Sequence, residues 1–282
     1  MKKFKDIQNS HLALTQYYRW YQVYEVPFNK ARINNQLDIL AEEIEISSQA
    51  GTSKGKMGIE DRLRMFEGWQ NAHHVENTSI KQLNDEELSL EADILYQNIR
   101  PDDSSRYSYR IHYSTSLKLR ENDLPLFTKV HLEPIGTVEN PQFTSAYADN
   151  RAKSFMHYWV YLMETAFVNG DKFKELLAEQ FELNLGTGSK INTLEGFNEW
   201  LVTASNRVKQ SGHYPKNLSV TENADNTINV SVDFEWEGIS VDDKPMVAET
   251  HHEWVLENNL DERFARMKMM KVTQTKPFQT VE

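Results

Sequence analysis

The sequence contains no cysteine among its 282 residues. Without thiols the chain can form neither disulfides nor thiolate metal sites, and a cysteine nucleophile is excluded. Long apolar runs are missing as well, and no uncharged stretch is long enough to span a bilayer. The basic amino terminus, MKKFK, is not followed by an apolar segment of signal-peptide length. We therefore expect a cytoplasmic protein that does not bind membranes.

Basic residues are outnumbered by acidic ones, 31 to 42, which gives a formal net charge of −11. Such a surface repels polyanions, and no local cluster of lysine and arginine offsets it, so nucleic-acid binding is not expected. What the chain has in quantity is aromatic side chains: 13 Phe, 12 Tyr and 6 Trp. That content is typical of a folded globular protein.

An internal repeat organises the chain. The segment LAEEIEISSQAG at 40–51 resembles LAEQFELNLGTG at 177–188, and eight of the 31 positions from 73 to 103 are identical to those 140 residues later. Average residue usage would give about two identities by chance. The repeat predicts a duplicated domain, with the first copy at 1–136, a linker at 137–150 and the second copy at 151–282. Two histidine pairs share the 140-residue separation: His73 with His213, and His112 with His252.

Each copy reads as helices followed by strands. Apolar spacing predicts an aromatic-rich first helix, a shorter helix at 36–44 or 171–181, and a third helix at 57–72 or 193–210. The period then changes to two: INVSVDFEWEG places Val230, Val232, Phe234 and Trp236 on one face of a strand. Helices followed by hairpin-linked strands predict an α+β fold with an antiparallel sheet.

The order of these elements carries a family resemblance. An aromatic helix, the pattern F-x-x-L-L-A-E-x-F-E, the segment GHYPKN, and strands of the form V-x-F-x-W-x-G and E-T-H-x-x-W resemble the nuclear transport factor 2-like superfamily. Its members include ketosteroid isomerases and SnoaL-like polyketide cyclases. The resemblance implies two tandem cone-shaped domains, each with helices packed on a curved antiparallel sheet around a pocket. It also implies that the two copies pair like a fused dimer, and it leaves a further homo-oligomer open.

The adjacent residues His251 and His252 lie on a predicted strand, so their side chains point to opposite faces. His252 shares its face with apolar residues and is the interior candidate. The resemblance places His252 and His112 where the isomerases have the protonated Asp of the oxyanion hole, and Tyr161 and Tyr24 at the oxyanion-hole Tyr. Further wall residues of the predicted ligand pockets are Phe234, Trp236, Trp254 and Met267 in the second copy and Tyr96 in the first.

The catalytic base of the isomerases has no counterpart here. Its Asp follows the L-A-x-x segment, and this sequence has Ser48 and Leu185 at that place. We expect binding of a small, largely apolar organic molecule without a cofactor or metal. Chemistry of an isomerase, cyclase or dehydratase type stays open. The alternatives are a non-catalytic module whose filled cones leave the outer surface for protein binding, or a pocket in the second copy alone. His73 and His213 are expected to cap the third helices.

Overall fold

Contacts within the chain divide it into two compact units. The first unit is Leu12–Ser154, and the second consists of Met1–His11 together with Phe155–Glu282. The computed structural model describes residues 2–29, 36–49, 51–139, 142–165, 170–186 and 188–281. The domain boundaries predicted from the repeat, at 136 and 150, stay a prediction. The compact units differ from the predicted ranges in that Met1–His11 belongs to the second unit and residues 151–154 belong to the first.

In the part of the first repeat that the structure describes, a long helix is followed by a short helix and six strands. Helix α1 is Lys2–Glu25, and a single 3-10 turn, Leu37–Ile39, precedes the first strand. The elements that follow are β1 Leu40–Ser48, β2 Gly51–Lys54, α2 Gly55–Arg64, β3 Gln70–Gln82, β4 Glu87–Ile99, β5 Arg106–Arg120 and β6 Asp123–Thr137. The strand order is β2-β1-β6-β5-β4-β3, antiparallel except for the parallel pair β1 and β6.

The second repeat has the same plan. Helix α3 is Tyr147–Thr165, and a 3-10 helix, Gly170–Glu175, leads into the sheet. The elements that follow are β7 Leu177–Asn184, β8 Lys190–Ile191, α4 Leu194–Ser205, β9 Val208–Glu222, β10 Thr227–Ser240, β11 Pro245–Glu257 and β12 Arg266–Thr280. The order β8-β7-β12-β11-β10-β9 repeats that of the first sheet, again with one parallel pair, β7 and β12.

In each repeat, the long helix packs on one face of the sheet. In the first unit, Tyr17, Trp20 and Tyr21 of α1 are at most 1% exposed and share a core with strand residues such as Ile94 and Phe127. In the second unit, the ring of Phe155 on α3 meets Trp254 of β11 edge-on, with centroids 5.8 Å apart. Burial of these aromatic surfaces is the main force that holds helix and sheet together.

The predicted fold class, α+β with helices packed on a sheet in two tandem copies, is confirmed. The alternation predicted for β10 is confirmed as well: Val230, Val232, Phe234 and Trp236 are all buried. The two sheets are mixed rather than wholly antiparallel, because β1 and β7 run parallel to the last strand of their sheets.

The short helices predicted at 36–44 and 171–181 are wrong. Both segments begin with a 3-10 turn and continue as strands, β1 and β7. In β1 the register against β6 shifts between Leu40 and Glu45, and Leu40, Ala41 and Ile44 are buried whereas Glu42 is exposed. A bulge of this kind adds a residue to the strand and reproduces the spacing of a helix.

The third helices end earlier than predicted. Helix α2 stops at Arg64 and α4 at Ser205, so the last part of each predicted helix belongs to a turn and the next strand. His73 and His213 consequently lie in β3 and β9, and the predicted helix-capping role is wrong.

Candidate functional site

A cavity of about 220 Å³ lies in the second unit, between helices α3 and α4 and the inner face of the sheet. Its volume equals roughly seven waters at about 30 Å³ each. Most lining atoms are apolar, and the polar contribution comes mainly from Ser211, His213, Thr250, His252 and Gln274. The aromatic walls are Trp159, Phe197, Trp200, Phe234, Trp236 and Phe278.

His213 is held in this cavity by a buried carboxylate at the end of α3. Oε1 of Glu164 accepts the backbone N–H of His213 at 2.7 Å and lies 3.1 Å from Nδ1 of the same residue. The Glu164 side chain is fully buried, and its Oε2 has no hydrogen-bond partner among the described residues. A buried carboxylate favours the tautomer in which Nδ1 carries the proton, which leaves Nε2 as the acceptor.

A second histidine supports this pair from α1. Nε2 of His11 lies 3.1 Å from the carbonyl oxygen of His213 and 3.6 Å from Oε1 of Glu164. Its Nδ1 lies 2.9 Å from Nδ1 of His157 on α3. Burial lowers the pKa of His11 below its ordinary value. A neutral His11 carries one ring proton and can serve as a donor toward the His213 carbonyl and the carboxylate.

His252 presents a neutral imidazole to the same cavity. Burial, with smaller effects from the nearby His213 and His251, lowers the pKa of His252 to about 3. Its Nε2 lies 3.0 Å from the hydroxyl of Thr250, whereas its Nδ1 has no hydrogen-bond partner among the described residues. If the Thr250 hydroxyl donates to Nε2, then Nδ1 carries the proton and is a free donor.

The first unit has a cavity of about 230 Å³ at the corresponding place. Here Glu25, at the end of α1, accepts the backbone N–H of His73 at 2.7 Å and lies 3.1 Å from its Nδ1. The Asn150 amide donates to both carboxylate oxygens at 3.1 Å and to the His73 carbonyl at 3.0 Å. Asn150 of α3 therefore contacts the Glu25–His73 pair in the way that His11 of α1 contacts the Glu164–His213 pair.

The lining of the first cavity differs from that of the second. It contains a buried cation, Arg62 of α2, which donates to the Ser48 hydroxyl at 3.0 Å and lines the cavity together with Tyr24. Burial raises the pKa of Tyr24 to about 12, so this phenol stays protonated at neutral pH. The other lining residues are Gln49, Phe66, His73, Tyr96, Ile111, Tyr113, Leu132 and Pro134.

Five of the predicted ligand-binding residues line a cavity. Phe234, Trp236 and His252 line the second cavity, and Tyr24 and Tyr96 line the first. Ser48 and Leu185, which stand at the place of the isomerase's base, line the first and second cavities respectively. A role in ligand binding stays a prediction for each predicted residue.

The structure corrects the positions of Trp254 and Met267, which lie in the packed core and are 1% and 0% exposed. Tyr161 is also outside the cavity lining, because its ring stacks on Tyr158 instead. On α3 the cavity is lined by Trp159, Val160 and Met163. Tyr161 is two residues beyond Trp159, about 200° around a helix of 3.6 residues per turn.

The structure also corrects the position of His112. It pairs with Asp93 across β4 and β5, as His251 pairs with Asp233 across β10 and β11, so its counterpart is His251 and not His252. Its Nδ1 lies 2.7 Å from Asp93, on the outer face of the sheet, and it is absent from the cavity lining. A register change of one residue moves a side chain to the opposite face of a strand. Tyr113 takes the inward position.

Sequence reasoning missed the two Glu–His pairs. The repeat did mark His73 and His213, but both were assigned to helix ends, and Glu25 and Glu164 were not considered. Both glutamates end the aromatic helices and are 139 residues apart, whereas the histidines are 140 apart. No group of three or more potential metal ligands occurs among the described residues, and none of their helices has the length and hydropathy needed to cross a membrane.

No protein-family model matches the sequence, and no curated protein is a significant match. Solved structures similar to this chain include hexachlorocyclohexane dehydrochlorinase LinA-type3 from Novosphingobium barchaimii, with 13% identity, a TM-score of 0.42, and coverage of 51% of this chain and 99% of that one. Aln2 from Streptomyces sp. shows 16% identity, a TM-score of 0.40 and coverage of 47% and 94%.

A protein provisionally assigned as an aromatic ring hydroxylase from Novosphingobium aromaticivorans shows 13% identity and a TM-score of 0.44 over 49% of this chain and 96% of its own. Each of these proteins thus matches about half of this chain. The same order of helices and strands occurs twice among the residues that the structure describes, once in each half of the chain.

Proposed function

We propose that the second cavity binds a small, largely apolar, neutral organic molecule and that His213 removes a proton from it. The observation that carries this proposal is the position of His213: its ring lines the cavity, and its Nδ1 is bound to the buried carboxylate of Glu164. A histidine oriented in this way is a common general base.

The role of Glu164 follows from electrostatics. When Nε2 of His213 takes up a proton, the ring becomes an imidazolium, and the buried carboxylate beside Nδ1 stabilises that charge. Among the described residues Oε2 of Glu164 has no hydrogen-bond partner, so the Glu164 charge is not fully compensated in the resting state. Formation of the imidazolium therefore completes an ion pair in a low-dielectric site.

His252 supplies the complementary group. Because it stays neutral at neutral pH, it can donate one hydrogen bond without placing a second positive charge next to His213. Such a donor stabilises negative charge that develops on an oxygen of the bound molecule. The Phe234 ring meets both imidazoles edge-on, with centroids 5.8 Å from His213 and 4.9 Å from His252, so the two groups border one apolar surface.

The reaction that fits these groups is a proton abstraction that leads to isomerisation, cyclisation or elimination. The cavity is smaller than the 300 Å³ or more that is usual for drug-sized ligands, which favours a molecule of about one ring. The alternative of a non-catalytic interaction module with filled cones requires packed interiors, and both units contain cavities instead. The predicted pairing of the two copies with each other stays a prediction.

The test is the base-induced elimination of nitrobenzisoxazole, a neutral probe with an acidic C–H bond. The base takes the proton from carbon, the N–O bond breaks, and the electron pair leaves on the phenolate oxygen, which is followed by absorbance. The wild-type chain should accelerate this reaction over buffer. His213→Gln should reduce the acceleration at least tenfold, because a positioned general base contributes about 10²–10⁴.

His112→Gln is the matched control, since this histidine is on the outer face and absent from the cavity lining. It should keep the wild-type rate, whereas Glu164→Gln should lower the rate with little change in KM. The proposal fails if His213→Gln is as active as wild type, or if His112→Gln loses as much activity as His213→Gln. Loss on His73→Gln alone would assign the chemistry to the first cavity and would contradict it as well.

A further inference from the structure

We propose that the first cavity binds a small organic carboxylate with a flat apolar body, and that the guanidinium of Arg62 receives the carboxylate group. The proposal concerns the other cavity and a different chemical class of ligand, so it does not rest on proton abstraction by His213.

Arg62 is a buried cation for which the described residues supply no counter-ion. The residue is 9% exposed, and its Nη2 donates to the Ser48 hydroxyl at 3.0 Å, while Tyr24 lines the same cavity. No ion pair joins Arg62 to a carboxylate among the described residues. Removing a charge from water is costly unless an opposite charge compensates it, so the site is arranged for an incoming anion.

The nearby buried carboxylate does not supply that compensation. Oε1 of Glu25 receives the backbone N–H and Nδ1 of His73, and both of its oxygens accept from the Asn150 amide. Glu25 is therefore hydrogen-bonded to His73 and Asn150 and not to Arg62. The guanidinium of Arg62 lines the cavity. A guanidinium presents two parallel N–H groups that match a carboxylate in geometry as well as in charge.

The remaining lining residues indicate the rest of the ligand. Tyr24 stays protonated at neutral pH and can donate beside Arg62 to an anionic oxygen. Phe66, Ile111 and Leu132 form apolar walls, and the volume of about 230 Å³ accommodates about one ring. Phe66 meets the Tyr24 ring edge-on, with centroids 5.6 Å apart, so both rings contribute aromatic surface to the lining. A small aromatic or unsaturated acid matches this combination of one cationic end and an apolar body.

The second cavity shows that the fold does not require this arginine. On α4, Phe197, Trp200 and Ala204 approach that cavity with spacings of three and four residues. In the first cavity, Arg62 of α2 and Phe66 in the turn after it have the same four-residue spacing as Trp200 and Ala204, so Trp200 takes the place of Arg62. One copy therefore has an apolar indole and the other a cation at the equivalent position, which assigns different ligand classes to the two cavities.

The experiment is isothermal titration calorimetry on the full chain with three probes of known chemistry. Benzoate should bind, benzamide should bind at least tenfold more weakly because it lacks the charge, and inorganic phosphate should bind at least tenfold more weakly because it lacks the apolar body. The proposal is overturned if benzamide or phosphate binds as tightly as benzoate, or if benzoate does not bind at millimolar concentrations.

Two variants locate the site. Arg62→Met should weaken benzoate binding at least tenfold, and Arg62→Lys should lie between this variant and the wild type because it keeps the charge but not the fork. Trp200→Ala, the matched change in the second cavity, should leave benzoate affinity within twofold, and a loss there instead would overturn the proposal.

Circular dichroism checks that each variant is folded, and the benzoate–benzamide comparison in the wild type decides the matter if Arg62→Met does not fold. Elimination of nitrobenzisoxazole by wild type and Arg62→Met at equal rates separates this result from the function proposed for His213.

Discussion

Glu164 contacts His213 twice through one oxygen: Oε1 lies 2.7 Å from the backbone nitrogen and 3.1 Å from Nδ1. Glu25 and His73 repeat both distances in the first unit. The double contact fixes the strand and the imidazole ring together, so the direction of the ring is set before any ligand enters. Both repeats contain this pair, whereas the lining of the first cavity includes Arg62 and that of the second includes Trp200.

Loss of the Glu164 carboxylate should destabilise the second unit. Glu164→Ala removes the acceptor of two hydrogen bonds, so the backbone N–H and the ring N–H of His213 lose their partner. We expect the free energy of unfolding in urea to fall by about 1–3 kcal/mol. Nitrogen NMR should show that Nδ1 of His213 is no longer the preferred protonation site. Glu253→Ala, which removes a half-exposed carboxylate paired with Lys271, should leave the urea midpoint close to the wild-type value. Equal losses in the two variants would contradict the role assigned to Glu164.

Acid should destabilise the chain through His252. The folded-state pKa of His252 is lowered to about 3, whereas the unfolded value is about 6.5, so between these values the unfolded chain binds the extra proton. Stability from this group is fully present above pH 6.5 and is lost as the pH falls toward 3, by up to about 1.4 kcal/mol per pH unit for one proton. His252→Phe should flatten the pH dependence of the urea midpoint in this window.

The buried His11 acts in the same direction, because burial also lowers its pKa, so the flattening should be partial. The direct measurement is an NMR titration of the imidazole of His252, which should show no protonation between pH 8 and 5. A midpoint for His252 near 6.5 would rule out the neutral donor on which its proposed role depends.

His112 should titrate in the opposite sense. The hydrogen bond to Asp93, with a further contribution from Glu91, raises the pKa of His112 above its ordinary value. Its stabilising effect is therefore present below pH 6.5 and is lost as the pH rises through the folded-state value. NMR titration should give a higher midpoint for His112 than for a histidine in an unfolded peptide, and Asp93→Asn should lower it. The effect on stability should be small because the pair is partly exposed to solvent.

Gly238 should not tolerate a side chain. A Cβ at this position would lie 2.3 Å from Cη2 and 2.6 Å from Cζ2 of Trp236, whose ring lines the second cavity, and 3.1 Å from the Gln210 carbonyl. Gly238→Ala should therefore cost about 1–3 kcal/mol and change tryptophan fluorescence as the indole moves. In Gly136→Ala the new Cβ would meet nothing within 4 Å, so this variant should change stability by about 0.5 kcal/mol or less. A wild-type urea midpoint for Gly238→Ala would contradict the close packing of Trp236.

Local chemistry explains which elements the sequence predicted correctly. Strand β10 alternates strictly between apolar and polar residues, and its inward face was identified in full. The bulged strands β1 and β7 were taken for helices because an extra residue mimics helical spacing. His112 was placed inside because one repeat separation, 140 residues, was applied throughout, whereas the strand pairings give 139 for β5 and β11.

The amino-acid sequence by itself determined the duplication, the order of helices and strands, the family resemblance and the opposite faces of His251 and His252, because these depend on periodicity and spacing along the chain. The tertiary structure alone decided that Glu164 contacts His213, 49 residues away in the sequence, and that Glu25 contacts His73, 48 residues away. It also placed Arg62 in the lining of the first cavity, where no described carboxylate pairs with it. Such contacts depend on the register of distant strands and the rotation of helices, where a change of one residue turns a side chain from core to solvent.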